Sequence, residues 1–307
     1  MATRVTVRVP SASTRTVDPG ALEAAVVSAL DVFGEVDRSC TRFDPSSALM
    51  RANGSPTRWH VVPPALFSAL LEAKRAYDTT SGRFDPRVLR TLVGLGYART
   101  LDFDGGAASV EHVTTGPTTA RSGPWRPRFK AATSEVVLGR EPVDLGGIGK
   151  GLAVRWASEA LSRTTRSFLV EAGGDCYCSG TGPEDDGWLI GIEDPTTPSE
   201  KIAVLSLADR AVTTSSIRLR QWRAAGRTVH HLIDPATGRP GGRGLLAVTV
   251  VGDDPARAEV WSKALFIAGH TSIAEEASRH GIAALWVAED GTDSWSAAMA
   301  QHLRWHR

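Results

Sequence analysis

A glycine-rich segment with one lysine is the first feature of the sequence that indicates chemistry. It reads Val143-Asp-Leu-Gly-Gly-Ile-Gly-Lys-Gly151 and stands before a stretch with helical apolar spacing. Backbone N–H groups and a cation at such a turn can hold phosphate. Asp144 and Leu152 occupy positions where the Walker A and dinucleotide-binding motifs require glycine. On local grounds the segment is therefore either an anion site or a tight structural turn.

Two other segments place polar side chains where strands are predicted to end. Val170-Glu-Ala-Gly-Gly-Asp175 ends in a carboxylate, and it is either a ligand-binding edge or a plain hairpin turn. His230 and His231 are adjacent in a predicted strand, so their side chains point to opposite faces. At most one of these histidines can therefore face a given site. The following segment 234–238 is typical of a turn.

The predicted helix 255–268 carries Glu259 and Lys263 at the i to i+4 spacing. On local grounds this spacing indicates an ordinary surface ion pair, which stabilises a helix by about 0.2 to 0.5 kcal/mol. The three cysteines, Cys40, Cys176 and Cys178, form no even disulfide framework and are predicted to be buried free thiols.

Composition excludes several classes of protein. The 307 residues allow one large domain or two closely packed ones, and 42% hydrophobic with 22% charged residues is typical of a globular chain. Lys plus Arg number 35 against 34 Asp plus Glu, which disfavours a nucleic-acid partner. No apolar stretch is long enough to span a membrane, and the N-terminus lacks the apolar core of a secretory signal. We therefore expect a cytoplasmic protein.

The periodicity of the apolar residues predicts a mixture of helices and strands without strict alternation, which indicates an α+β fold. We expect one domain over residues 1–307, with an exposed loop at 104–126 and with Arg155 facing solvent. The predicted helices cover 21–33, 64–77, 149–162, 255–268 and 271–280. The predicted strands cover the N-terminal residues, 61–62, 142–145, 167–172, 188–193, 202–206, 228–233, 245–251 and 283–287.

Six segments, taken in order, resemble the motifs of the ApbE family of FAD:protein FMN transferases. They are Thr41-Arg-Phe-Asp-Pro-Ser-Ser-Ala-Leu-Met-Arg-Ala-Asn53, Ser81-Gly-Arg-Phe-Asp-Pro86, the segment 144–151, Glu171-Ala-Gly-Gly-Asp175, Thr214-Ser215 and the segment 230–240. The resemblance spans nearly the whole chain. It implies a T-fold-like α+β architecture, in which mixed sheets pack with helices. It also implies a transferase that moves FMN from FAD to a Ser or Thr hydroxyl of a partner flavoprotein through a phosphoester bond, releasing AMP.

The resemblance also assigns residues by position. FAD contacts are implied for eleven residues: Cys40, Thr41, Ser81, Gly82, Arg83, Asp144, Lys150, Asp175, His231, Leu232 and Ile233. A Mg²⁺ ion of the family lies between the backbone oxygen at the Gly147 position and an A-D-x-x-x-T segment. Here that segment is 258–263, where Glu259 and Ser262 are the oxygen donors that remain.

The last segment departs from the family pattern, because Glu259 replaces Asp and Lys263 replaces Thr. An ammonium has no lone pair and cannot coordinate Mg²⁺, and it competes with a cation for the same carboxylate. Two interpretations stay open for the catalytic pair. Lys263 either replaces the metal as a point charge beside Glu259 as the candidate base, or the chain binds FAD without transferring FMN. Hydrolysis of FAD to FMN and AMP is a third hypothesis.

Overall fold

The structure is a computed structural model that describes residues 3–15, 17–101, 108–110, 123–197 and 199–307. Within these ranges the α-helices are α1 (Ser11–Thr14), α2 (Pro19–Cys40), α3 (Ala48–Asn53), α4 (Pro64–Thr79), α5 (Leu89–Gly94), α6 (Gly149–Ser162), α7 (Pro255–Ala268) and α8 (Ile273–Arg279). The strands are β1 (Val5–Arg8), β2 (His60–Val61), β3 (Ala108–Val110), β4 (Arg128–Lys130), β5 (Glu135–Val137), β6 (Phe168–Ala172), β7 (Asp175–Ser179), β8 (Trp188–Glu193), β9 (Lys201–Leu207), β10 (Arg210–Ser216), β11 (Gln221–Ala224), β12 (Arg227–His230), β13 (Ile233–Asp234), β14 (Arg239–Pro240), β15 (Leu245–Gly252), β16 (Ala283–Ala288), β17 (Asp293–Trp295) and β18 (Leu303–His306).

A large antiparallel sheet organises the described residues. Its strand order is β1-β6-β7-β10-β15-β16-β17. Alternate residues of β6 lie in different cores, because successive side chains of a strand point to opposite faces. Phe168 and Val170 pack with helices α2 and α6, whereas Leu169 packs with the small sheet β18-β9-β8. The fold is therefore a mixed α+β architecture with helices on one face of the sheet and three strands on the other.

Helix α2 is longer than the sequence predicted. Asp18 caps it, since its side chain accepts a hydrogen bond of 2.8 Å from the Ala21 N–H. The predicted end at Gly34 is wrong because the buried stripe continues through Val36 to Cys40. This extension places Cys40 at the end of the helix and Thr41 in the loop that follows.

The predicted strand 142–145 is also wrong. The side chain of Asn53 occupies the place of a neighbouring strand, because it bonds both the N–H and the carbonyl of Val143 at 2.8 Å. Residues 141–148 therefore form an irregular segment that leads into α6. The predicted strand 228–233 is interrupted in a similar way, since β12 ends at His230 and β13 begins at Ile233.

The predicted exposed loop 104–126 lies mostly outside the described residues. Within the described part, β3 runs parallel to β11. Trp125 is buried, and its indole N–H donates a 2.8 Å hydrogen bond to the Leu138 carbonyl. The prediction of exposure is therefore wrong at Trp125. No helix in the described part of the chain combines the length and the apolar character that crossing a membrane requires.

Candidate active site

A cleft of about 870 Å³ collects most of the residues that the sequence singled out. Its walls come from the end of α2, the turn after α4, the segment before α6, the segment that follows β12 and two residues of α7. The predicted site residues that line it are Cys40, Thr41, Arg83, Asp144, Gly147, Lys150, His231, Leu232, Ile233 and Lys263. Its volume is typical of a site for a ligand of drug or cofactor size.

Glu259 lies behind this cleft and connects the two lysines that face it. Its Oε1 is 3.1 Å from the Lys263 Nζ and 3.4 Å from the Lys150 Nζ, while its Oε2 accepts a 2.8 Å hydrogen bond from the Gly151 N–H. The residue is only 1% exposed. The predicted ion pair forms, but the prediction that it lies at the surface is wrong, because helices α6 and α7 enclose the carboxylate.

Gly151 allows the two helices to approach this closely. A Cβ atom on Gly151 would lie 2.6 Å from the Pro255 carbonyl oxygen, so no larger residue fits there without a shift. Asp254 caps α7 and also pairs with Arg155, which in turn lies 3.1 Å from a Glu72 carboxylate oxygen. The prediction that Arg155 faces solvent is therefore wrong, since Arg155 links α6 to α4 and α7.

Lys150 forms a second ion pair, with Asp175. The other Asp175 oxygen, Oδ1, accepts a 3.1 Å hydrogen bond from the Thr214 N–H, which fixes the carboxylate at the start of β7. Burial lowers the pKa of Lys150 to about 8, although the Glu259 carboxylate opposes this shift. Burial acts to raise the pKa of Glu259, but the Lys263 and Lys150 ammonium groups outweigh it and lower that pKa to about 2. Glu259 is therefore a carboxylate at neutral pH and a weak base.

In the glycine-rich segment, several backbone N–H groups donate hydrogen bonds to acceptors within the protein. The Gly146 N–H donates to Asp144 Oδ1 at 2.7 Å, and the Gly149 N–H donates to the Leu145 carbonyl at 2.8 Å. The Gly151 N–H is bound to Glu259. These three groups do not serve as the phosphate cradle that the sequence suggested. The Gly147 N–H, which has no acceptor among the described residues, and the cations of the cleft remain as donors for an anion.

The predicted metal ligands do not fit a Mg²⁺ ion in this arrangement. The Ser262 hydroxyl is buried and lies 2.7 Å from the Ser215 hydroxyl and 2.9 Å from the Glu259 carbonyl, to which it donates. The Lys263 stem passes beside Gly147, and a Cβ there would lie 3.5 Å from the Lys263 Cδ. The described residues contain no group of three His, Cys, Asp or Glu side chains suited to a metal. The Lys263 ammonium therefore lies where the family resemblance implied a Mg²⁺ ion.

Arg42 is a residue of the cleft that the sequence reasoning missed. Its Nε lies 3.2 Å from Asp144 Oδ2, and its guanidinium lies 4.1 Å and 4.4 Å from the ring centres of Phe43 and Tyr97. Arg42 also donates to the Tyr97 carbonyl. It stands inside the motif segment that begins at Thr41, but nothing in the local spacing indicates a contact with a residue about a hundred positions later.

The turn after α4 holds Arg83 at the cleft wall. Ser81 and Gly82 both have positive φ values, 50° and 73°, and the Gly82 N–H donates to the Tyr77 carbonyl at 2.7 Å. Ser81 and Gly82 do not line the cleft, in contrast to Arg83 of the same turn, so they support the position of Arg83. The Arg83 Nη2 lies 2.9 Å from the buried Glu276 Oε1, a second partner that the sequence did not indicate.

His231 lines the cleft as a neutral imidazole. Its Nδ1 lies 3.3 Å from the Arg220 carbonyl, and a carbonyl can only accept, so Nδ1 carries the proton and Nε2 has a free lone pair. Burial, together with the Arg220 and Lys263 charges, lowers the pKa of His231 well below its usual value. His230 instead packs edge-on against Phe266. The prediction that at most one of the two histidines reaches the site agrees with this arrangement.

The other predicted contacts are apolar or neutral. Burial raises the pKa of the Cys40 thiol to about 12, so the thiol stays protonated. Leu232 and Ile233 are buried side chains that continue the wall beyond His231. Cys176 and Cys178 are free and buried, as expected.

The comparisons with known proteins identify the family. The model of the ApbE family matches residues 1–286, and the chain belongs to that family. A protein of Chlamydia trachomatis named FAD:protein FMN transferase is 28% identical over 255 residues, which cover 80% of this chain and 77% of the chlamydial protein. The Escherichia coli K12 protein of the same name is 28% identical over 164 residues, 53% of this chain and 46% of its own length.

Solved structures of the family share the fold. The ApbE protein of Thermotoga maritima has a TM-score of 0.80 and 23% identity, with 99% of this chain and 100% of that chain covered. The flavinyl transferase ApbE of Pseudomonas stutzeri has a TM-score of 0.78 and 20% identity, with 99% and 98% covered. The predicted ApbE-like α+β fold is confirmed. The match to the Escherichia coli protein spans just under half of that relative's length.

Proposed function

We propose that this chain transfers FMN from FAD to a Ser or Thr hydroxyl of a partner protein and releases AMP. The observation that carries the proposal is the pair of ammonium groups, Lys150 and Lys263, at one wall of a cleft of about 870 Å³. A dinucleotide needs such a volume, and its pyrophosphate needs such charges. The relatives named FAD:protein FMN transferase support the same reaction class.

The reaction is a phosphoryl transfer between oxygens. The acceptor hydroxyl oxygen forms a bond to the phosphorus on the FMN side of the pyrophosphate. The bond from that phosphorus to the bridging oxygen breaks, and AMP departs with the bridging oxygen. The hydroxyl proton passes to a base. Positioning and charge stabilisation supply most of the catalysis in reactions of this kind.

His231 is the base that the geometry favours, although burial and the nearby cations lower its pKa and make it a weaker base than free imidazole. Its Nδ1–H is directed to the Arg220 carbonyl, which leaves Nε2 as a proton acceptor on a residue that lines the cleft. Glu259, the base suggested by the sequence, is held as a carboxylate by two ammonium groups and is therefore better suited to orienting Lys150 and Lys263. Asp144 remains the proposed acceptor for a ribose hydroxyl or an adenine amine, with Arg42 fixing its orientation.

A second candidate function is FAD binding without transfer. The observation that favours it is Lys263 itself, since a divalent ion normally stabilises the charge of such a reaction more strongly than one ammonium does. The same cleft would then hold FAD in a carrier or regulatory protein. Hydrolysis, in which water replaces the acceptor hydroxyl, differs from both because it releases AMP without labelling any protein.

The proposed test incubates the protein with FAD and a flavoprotein domain that accepts FMN, and it measures the acceptor mass and free AMP. We expect a mass gain of one FMN on the acceptor with equimolar AMP. His231→Asn should reduce the rate by roughly 10² to 10⁴ while leaving FAD binding intact. The exposed His306→Asn serves as the matched control.

The other outcomes separate the candidates. FAD retention without AMP, with an acceptor that a known transferase labels, would favour the carrier. AMP without acceptor labelling would favour hydrolysis. The cytoplasmic location stays a prediction, and recovery of the protein in an extracytoplasmic fraction would contradict it.

A further inference from the structure

We propose that the ammonium groups of Lys150 and Lys263 bind the FAD pyrophosphate directly and that the site works without a divalent cation. This inference deepens the proposed function and rests on it for the identity of the ligand. It concerns the position for which the family resemblance implied Mg²⁺ and at which the structure has Lys263.

Each ammonium has three N–H donors, and the protein uses two of them. Lys150 contacts Asp175 and Glu259, while Lys263 contacts the Glu259 carboxylate at 3.1 Å and the Glu259 carbonyl at 3.4 Å. No third protein acceptor contacts either Nζ among the residues described here. One charged donor on each lysine is therefore left for a ligand in the cleft. Two adjacent charged donors suit the two phosphates of a pyrophosphate.

The oxygen acceptors of the cluster, unlike the lysine donors, are already occupied by protein groups. Glu259 Oε1 receives both ammonium groups, and Oε2 receives the Gly151 N–H. The Ser262 hydroxyl donates to the Glu259 carbonyl and pairs with Ser215. A divalent ion would have to displace Lys263 from Glu259, and the displaced ammonium would stand beside the ion. Repulsion between the two cations opposes that exchange.

Three backbone groups next to the lysines are not available as anion donors. The N–H groups of Gly146, Gly149 and Gly151 all have acceptors within the protein. The Gly147 N–H has no acceptor among the described residues, but it carries no charge, so side chains on two different helices are left to meet the charge of the pyrophosphate. During transfer the P–O bond to the bridging oxygen breaks and AMP departs with that oxygen, and the two ammonium groups offset the negative charge of the phosphates.

The test measures FAD binding by fluorescence in EDTA and in excess Mg²⁺, for the wild type, Lys263→Met, Lys263→Arg and Lys130→Met. Lys130 is the matched control because it forms a similar ion pair, 3.2 Å from Glu135, outside the cleft. We expect equal wild-type affinity in both buffers. Lys263→Met should weaken binding about tenfold or more in EDTA, and Lys263→Arg should retain most of the affinity. Lys130→Met should bind as the wild type does.

A second readout detects the ion itself. Mn²⁺ added to the protein with saturating FAD should give the same electron paramagnetic resonance signal as Mn²⁺ with free FAD. Stoichiometric loss of that signal, tenfold tighter FAD binding in Mg²⁺, or unchanged binding of Lys263→Met would each overturn the inference. Thermal unfolding of every variant identifies a loss of binding that comes from loss of fold.

Acceptor labelling in the same samples distinguishes this inference from the proposed function. Labelling in EDTA supports both. Metal-independent FAD binding without labelling or AMP supports the inference and contradicts the transferase. Labelling that appears only with Mg²⁺ supports the transferase and contradicts the inference. Absence of FAD binding under every condition contradicts both.

Discussion

Two buried charged clusters of this protein differ in how completely their donors are used. At the edge of the small sheet, Asp194 accepts from the Thr196 N–H at 2.7 Å and the Thr196 hydroxyl at 2.6 Å, and it pairs with Arg307. Arg307 also reaches Asp293 at 3.2 Å. At the cleft, Lys150 and Lys263 share one oxygen of Glu259. The Asp194 cluster holds the C-terminal Arg307 in place, whereas the Glu259 cluster keeps charged donors available beside the cleft.

The difference indicates how a buried charge can be assigned to stability or to ligand binding. In the Asp194 cluster the acidic groups exceed the basic ones, and backbone and hydroxyl donors satisfy the central carboxylate. In the Glu259 cluster both cations share the Glu259 carboxylate, Lys150 also pairs with Asp175, and both lysines line a cleft of about 870 Å³. A ligand that brings negative charge can complete the second cluster but has no place in the first. Substitutions in the Asp194 cluster should therefore change stability alone, whereas those in the Glu259 cluster should also change ligand binding.

The largest expected effect on stability comes from Glu259→Ala. The change leaves two ammonium groups without their shared carboxylate in a buried place, and breaking a buried pair in this way costs about 3 to 5 kcal/mol. Urea unfolding followed by tryptophan fluorescence measures the change in the free energy of unfolding. Adding Lys263→Met should restore part of the loss, because it removes the ammonium that has no other carboxylate, whereas Lys150 keeps Asp175. A loss below about 1 kcal/mol for Glu259→Ala would show that the cluster is not buried as described.

Gly151→Ala is expected to have the next largest effect. Its new Cβ would lie 2.6 Å from the Pro255 carbonyl oxygen and would push α6 away from α7, at a cost of about 1 to 3 kcal/mol. The matched control is Gly149→Ala, since a Cβ on Gly149 meets nothing within 4 Å. Urea unfolding measures both. Equal stability of the two variants would contradict the close approach of the helices.

Asp194→Asn should lower the free energy of unfolding by about 1 kcal/mol, because it removes the ion pair with a partly exposed Arg307 but keeps a side-chain oxygen. FAD binding should not change. The same urea experiment and an FAD titration check both statements. Weakened FAD binding in a folded Asp194→Asn protein would contradict the division between the two clusters.

The smallest expected effect is the pH dependence of the stability difference between the wild type and Asp194→Asn. Burial opposes the shift, but hydrogen bonds from Thr196 and Arg307 lower the pKa of Asp194 from 3.8 to about 2. A lowered folded-state pKa contributes stability above the unfolded value and loses it as pH falls. The stability advantage of the wild type over Asp194→Asn should therefore be full above pH 3.8 and should shrink between pH 3.8 and 2. An advantage that stays constant over this range would contradict the assignment.

The sequence predicted the helices that build the site better than the strands that connect it. Helices α6 and α7 agree with the predicted ranges because proline, glycine and apolar spacing mark their ends. The failed strand at 142–145 has apolar residues, but Asn53 supplies its hydrogen bonds from a distant helix. Local patterns contain no information on such a long-range partner.

The same limit applies to the site. The family motifs brought Lys150, Asp175 and Lys263 to attention, and the fold brings them together through Glu259. The sequence did not indicate that Arg42 would hold Asp144 or that Glu276 would hold Arg83, because each pair depends on the packing of separate elements. Because an i to i+4 pair looks the same on a solvated helix and on an enclosed one, the local spacing placed Glu259 at the surface, whereas the family resemblance placed it in the site.

The most direct test of the central claim is a crystal structure of the protein with FAD grown in EDTA. We expect the pyrophosphate to lie within hydrogen-bond distance of the Nζ atoms of Lys150 and Lys263, with both lysines still in contact with Glu259. A pyrophosphate bound away from the two lysines would contradict the account. An octahedral ion on Glu259, in a crystal soaked afterwards in Mg²⁺, with Lys263 displaced would contradict it equally.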